Sequence, residues 1–146
     1  MVLTRWGVPS EKILTLRSAH VDREVFIPSD EPRPYALGFV GRLVANKGLD
    51  YLVQILFVMA AEFPEARFVI IGDGPESSRL TARLAAARLP ARVDRRHWVD
   101  GPGGLAAVYQ QMSALACTST SEGGPRVCLE AMACGVPVFS LSLIHI

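Results

Sequence analysis

The stretch LACTSTSEGGPRVCLEAMACGVPVF, residues 115–139, decides the fold. It opens on an apolar run at 115–118, a strand candidate, and passes through a polar, glycine-bearing loop to Pro125. A helical pattern follows at 126–134, then Gly135, then a second strand pattern at 136–139. Proline at the head of a helix gives up an N–H that has no partner inside it, and glycine just past the last turn accepts the left-handed backbone that ends one. Strand, loop, helix and strand in that order are the repeating unit of a parallel sheet, because parallel neighbours need a crossover.

The same alternation continues outward. Strands are expected at 36–40, 66–71 and 92–99, and helices at 49–63, 76–88 and 105–112, which makes the chain α/β with a parallel sheet and helices on both faces. The run Arg67-Phe-Val-Ile-Ile71 is apolar after its first residue, as a strand covered on both faces should be. In the first helix Leu52, Ile55, Leu56, Met59 and Phe63 fall on one stripe, and Val53, Phe57 and Val58 widen it, predicting burial on more than one side. Residues 92–99 make a weaker, charged strand. Residues 1–34 read as a leading hinge segment, with a short strand at 12–17 and then a linker in which Pro28, Pro32 and Pro34 forbid a helix.

Composition excludes several classes. With 146 residues, half of them apolar, and 15 basic against 14 acidic side chains, the chain is neither disordered nor a nucleic-acid binder working through bulk charge. Cys117, Cys128 and Cys134 form no CxxC pair and read as small buried hydrophobes. No run approaches the roughly 18 apolar residues of a membrane span, so a soluble, cytoplasmic protein is expected.

Ligands of an open parallel sheet bind beyond the carboxyl ends of its strands, and three loops there carry chemistry. In Gly41-Arg-Leu-Val-Ala-Asn-Lys47-Gly48 the glycines permit close backbone approach, and Arg42 and Lys47 can meet a diphosphate from one side. Taken alone, a solvated turn with two surface cations fits equally well. Lys47 is one of two lysines against thirteen arginines, which suits a position wanting a compact ammonium. Ile71-Gly-Asp-Gly-Pro75 is part of a glycine-rich nucleotide loop, but Ser77 stands where a dinucleotide fingerprint has its third glycine. A wall of a nucleotide pocket and a plain tight turn are equal readings of it. In the third loop Gly123 and Gly124 expose backbone, and the free N–H groups at the start of the 126–134 helix can receive an anion. Glu130, in the second turn, leans toward that end. With Glu122 it brackets the anion site, and carboxylates accept hydroxyl protons well, so the ligand expected is a diphosphate flanked by ribose or sugar.

The motifs GRL-x-x-x-KG, IGDGP and EGGPRVCLEAMACGVPV, in this order and spacing, resemble the C-terminal, donor-binding domain of group 1 retaining glycosyltransferases of GT-B fold, across about 14–139. Ser18-Ala-His-Val-Asp22 and Phe26-Ile-Pro28 are similar to the family's hinge-side stretch. The resemblance implies a Rossmann-like domain at 35–140, preceded by a hinge from an N-terminal domain that this sequence lacks. It implies a nucleoside-diphosphate sugar as donor, with Arg42 and Lys47 on the diphosphate, Glu130 on the ribose hydroxyls and Glu122 on the transferred sugar. Backbone from Gly123 through Gly124 and Arg126 to Val127 would serve sugar and phosphates, Gly41 would approach the diphosphate, and the base would lie near Val99 and the Gly72–Gly74 loop. No Asp-x-Asp occurs, so no metal or other cofactor is expected, cations and helix dipole standing in for Mg²⁺. The acceptor, a glycan, lipid or small molecule, would be chosen by the absent domain, through which peripheral membrane association could also come.

Departures from the family pattern fall at Arg95, usually apolar, at His97 and His20, usually glycine, and at Ser113 and Thr118, usually aspartate and proline. His97 either contacts a base edge or is a solvent-exposed histidine. Residues 141–146, Leu-Ser-Leu-Ile-His-Ile, are what the string CTGTCTCTTATACACATC encodes, which resembles a transposon-end sequencing adapter. A non-native tail is therefore expected, after about 140 native residues of a longer enzyme, and with it little activity alone and exposed apolar patches. Two other readings stay open: a non-catalytic nucleotide-binding module, and an NAD-type Rossmann domain.

Overall fold

The computed structural model describes residues 2–12, 20–120 and 126–141. Five parallel strands form one sheet in the order β3-β2-β1-β4-β5: β1 Leu37–Val40, β2 Phe68–Ile71, β3 Val93–Arg96, β4 Leu115–Cys117 and β5 Val138–Ser140. Register aligns Leu37 with Phe68, Phe68 with Val93, and Leu115 with Val138. A short α1, Val2–Arg5, precedes the sheet, and α2 Leu49–Glu62, α3 Ser77–Ala86, α4 Gly101–Gln110 and α5 Arg126–Ala133 connect its strands.

Alternation along the strands feeds two cores. Leu37, Phe39, Phe68 and Ile70 point to α2 and α3, meeting Leu52, Leu56, Leu80 and Leu84. Val69, Ile71 and Leu115 point to α4 and α5, meeting Ala106, Tyr109, Met112, Ala131 and Val136. Helix α5 ends as its sequence predicts. Gly135, at φ 70°, donates its N–H to the Met132 carbonyl, and Val136 donates to Ala131, the paired bonds that close a helix through a left-handed residue. All three cysteines are buried thiols, as expected.

Four expectations need correction. Helix α2 buries one face only, through Leu49, Leu52, Val53 and Leu56; Phe57 and Val58 are 55% and 58% exposed, because no element among the described residues lies over that side. Phe63 falls past the helix end and is exposed. Helix α4 starts at Gly101, ahead of the expected 105, since Pro102 is tolerated in a first turn and the GPGG run carries no apolar period to reveal it. The segment read as a linker is anchored: Phe26 is 2% exposed in the second core, Gln110 Nε2 donates to the Ile27 carbonyl, and Arg33 Nη1 donates to the Met112 and Gly135 carbonyls. One aromatic residue and a guanidinium reaching two carbonyls suffice to fasten a chain that has no regular structure. The strand expected at 12–17 lies almost wholly outside the described residues; Ser10–Lys12 is a 3₁₀ turn.

Strand β3 tolerates its charges because it is an edge. Asp94 accepts from the Tyr35 hydroxyl at 2.6 Å and from Arg96 Nη2 at 2.7 Å. The Arg96 hydrogen bond, aided by Tyr35, holds the Asp94 carboxyl below its ordinary range.

Candidate functional site

The strand order reverses direction at β1, from which the chain steps out to β2 and β3 before crossing to β4 and β5. Loops leaving strands on either side of such a switch point diverge and open a crevice. Here it is a cleft of about 540 Å³, within the size range of small-molecule sites. Gly41 and Arg42 after β1, Gly72 and Asp73 after β2, and His97 to Val99 after β3 line one side. Arg126, Val127 and Glu130 from the first turns of α5 line the other, with Leu105 of α4 and Phe26 of the leading segment contributing apolar floor.

The loop after β1 is held on both flanks. Leu43 N–H donates to the Asp73 carbonyl and Glu76 N–H to the Leu43 carbonyl, while a Cβ on Gly74 would collide with the Leu43 carbonyl oxygen. On the other flank Thr120 N–H donates to the Asn46 carbonyl, and the buried Thr118 hydroxyl donates to the Lys47 carbonyl at 2.7 Å. Gly48, at φ 60°, fits because a side chain there would run into the Thr118 carbonyl. The loop at 41–48 is thus knitted to the loops that follow β2 and β4, and lies between them.

Charge is concentrated at Glu130. Its side chain is only 6% exposed, and both oxygens are engaged: Arg126 Nε lies 2.8 Å from Oε1, and the Tyr109 hydroxyl donates to Oε2 at 3.1 Å. At the rim beyond β2, Asp73 accepts from the Gly74 N–H at 2.8 Å, which, with His97 Nδ1 at 3.5 Å from Oδ2, holds its carboxyl below the ordinary range. His97 is largely exposed, as one of its two readings has it, and it lines the cleft.

Of the residues expected to form the site, the fold brings Gly41, Arg42, Gly72, Val99, Arg126, Val127 and Glu130 to this cleft. Gly74 packs on Leu43 beneath it, and Lys47 sits in the adjoining 3₁₀ turn Ala45–Lys47 without lining it. Glu122, Gly123 and Gly124 lie outside the described residues.

Comparison with known proteins agrees with this fold. The family model described as "Glycosyl transferases group 1" matches residues 22–143. The chain belongs to the group 1 glycosyltransferase family. A glycosyltransferase of Haemophilus influenzae is 30% identical over 103 residues, 70% of this chain and 28% of its own length. The pneumococcal O-GlcNAc transferase GtfA, solved in complex with UDP and GlcNAc, superposes with a TM-score of 0.73 at 26% identity, over 83% of this chain and 23% of that one. The C-terminal domain of the group 1 protein LpcC from Francisella tularensis gives 0.74 at 24% identity, over 83% of this chain and 70% of that one. The parallel Rossmann-like sheet is therefore the fold expected of this group, and the chain spans about a quarter to a third of the length of the curated relatives it matches.

Sequence reasoning missed part of this cleft. Trp98, 79% exposed, stands on its rim beside His97, and Tyr109 supports Glu130 from below. The signal for Tyr109 was its place one turn after Leu105 on the inward stripe of α4, since a buried phenol needs a polar partner. Among the described residues no helix is long and apolar enough to cross a membrane.

Proposed function

We propose that this chain is the donor-binding half of a glycosyltransferase that takes a sugar from a nucleoside diphosphate and transfers it with retention and without a metal. The observation that carries the reading is the cleft at the switch point, where a buried carboxylate, Glu130, and two cations, Arg42 and Arg126, share one wall system. In this reading Arg42 and Lys47 take the diphosphate and stabilise its charge as it leaves, and Arg126 and Val127 offer backbone N–H groups at the head of α5. Glu130 accepts from ribose hydroxyls and Glu122 from the transferred sugar. The base lies toward Val99 and the loop after β2. The anomeric C–O bond to the diphosphate breaks, the acceptor oxygen bonds to the same face, and its proton passes to the departing phosphate oxygen, so no protein nucleophile is required. Metal independence rests on the lack of an Asp-x-Asp sequence and on the cations near the site.

Titration calorimetry with UDP, GDP and NAD tests the reading. Binding of a nucleoside diphosphate, lost in Lys47→Ala and Glu130→Ala, supports it; binding of NAD alone overturns it in favour of an oxidoreductase domain. Transfer by a longer protein containing this domain, unchanged by EDTA and giving the retained anomer, separates enzyme from binding module.

A further inference from the structure

Burying a carboxylate is costly unless its oxygens find donors. Glu130 has one on each oxygen, and the two differ in kind. Arg126, one turn earlier on α5, reaches Oε1 with a side chain that is 68% exposed at the cleft mouth. A long, solvated guanidinium exchanges partners readily. Tyr109 reaches Oε2 from α4 with a side chain that is fully buried, its ring 6.1 Å from that of Phe26. Burial, reinforced by the carboxylate itself, pushes the Tyr109 phenol well above its ordinary range, so it stays a donor. One partner is fixed by the core and the other is free to leave.

We infer that Tyr109 is a positioning residue of the donor site: it holds Oε2 of Glu130 in place and thereby makes Oε1, released by Arg126, the oxygen that accepts a ligand hydroxyl. The inference rests on Glu130 being the hydroxyl reader proposed above. It adds that the reader's aim is set from the neighbouring helix, and that the Arg126 ion pair is what a ribose hydroxyl displaces.

The test compares UDP with 2′,3′-dideoxy-UDP by calorimetry on the 146-residue chain, with GDP and its dideoxy analogue as a second pair. The wild type should prefer the ribose form by about tenfold or more, the weight of hydrogen bonds to a charged group. In Tyr109→Phe the ribose form should weaken by about tenfold while the dideoxy form changes by less than about twofold, collapsing the preference. A role in folding alone would weaken both forms together. Arg126→Gln, which leaves Tyr109 in place and frees Oε1, should keep or raise the preference for the ribose form, because the hydroxyl then has no ion pair to displace. A Tyr109→Phe protein that retains the full preference, or an Arg126→Gln protein that loses it, overturns the inference. If the wild type binds both forms equally, or binds neither nucleotide, it is the reading of Glu130 that fails, and the inference falls with it.

Discussion

Thr118→Val should loosen the joint between the loop after β1 and the end of β4. The Thr118 hydroxyl is buried, with the residue 1% exposed, and donates at 2.7 Å to the Lys47 carbonyl. Valine keeps the volume and removes the donor, so no cavity term enters. What is lost is one neutral hydrogen bond, plus the cost of leaving a carbonyl short of a partner in a tight junction, together about 1–3 kcal/mol. At this chain length that corresponds to a fall in Tm of about 3–10 °C. Thr118→Ser keeps the hydroxyl and drops one methyl, about 0.8 kcal/mol. The wild type should therefore be the most stable, the serine variant next and the valine variant last. Urea unfolding followed by circular dichroism measures it, and equal m-values would confirm that the native state is what changed. A Thr118→Val protein as stable as the wild type, with Thr118→Ser the weaker of the two variants, would refute the reasoning, because packing and not the hydroxyl would then hold the joint. Proline, which the family pattern carries at this position, has no such donor.

Three further outcomes are expected. Phe26→Ala should cost about 3–5 kcal/mol by emptying a core position, and limited proteolysis should then cut the leading segment at 21–34, which a mere linker would allow in the wild type already. Asp94→Asn should destabilise by about 1 kcal/mol at pH 7 through weakened bonds from Arg96 and Tyr35. Because the folded carboxyl titrates lower than the unfolded one, its stabilisation is complete above the ordinary value of 3.8 and is lost as pH falls through the lower folded value, so the gap to wild type in acid-titrated melts should close below that point. A gap that persists into strong acid would contradict the ion pair. Phe57→Lys and Val58→Lys should change stability by less than about 0.5 kcal/mol while lowering binding of an apolar dye; a large loss would mean that α2 is covered on its outer side after all.

The parts of this fold that were legible in advance were those where burial leaves a local imprint. Strand β2 is apolar at every position because both faces are covered, and the turn at Gly135 is announced by the one residue that suits φ 70°. The loops after β1 and β2 carry glycines and charges of their own, and the fold brings Gly41, Arg42 and Gly72 from them to one cleft. Partnerships across the chain left no such imprint. Nothing near Gly74 says that Leu43 lies against it, and Tyr109 and Glu130 are separated by 21 positions. The apolar breadth of α2 misled because hydrophobicity reports that a residue would be content indoors, not that a neighbour is there to receive it. Phe57 and Val58 would read the same way in either case.

The two margins of the sheet are chemically opposite. The edge strand β3 carries ionic groups, Asp94 and Arg96 bound to Tyr35 and Arg95 reaching Ser77, and charge on an edge discourages pairing by a further strand. On β5 itself Val138 packs against the second core, while Phe139 is 67% exposed and is followed by an exposed Leu141. Among the described residues, one margin is therefore charged and the other carries an exposed aromatic ring. The sheet has a direction of growth, and self-association, if it is driven to occur at high concentration, should begin at β5 and be suppressed by a single charge at Phe139.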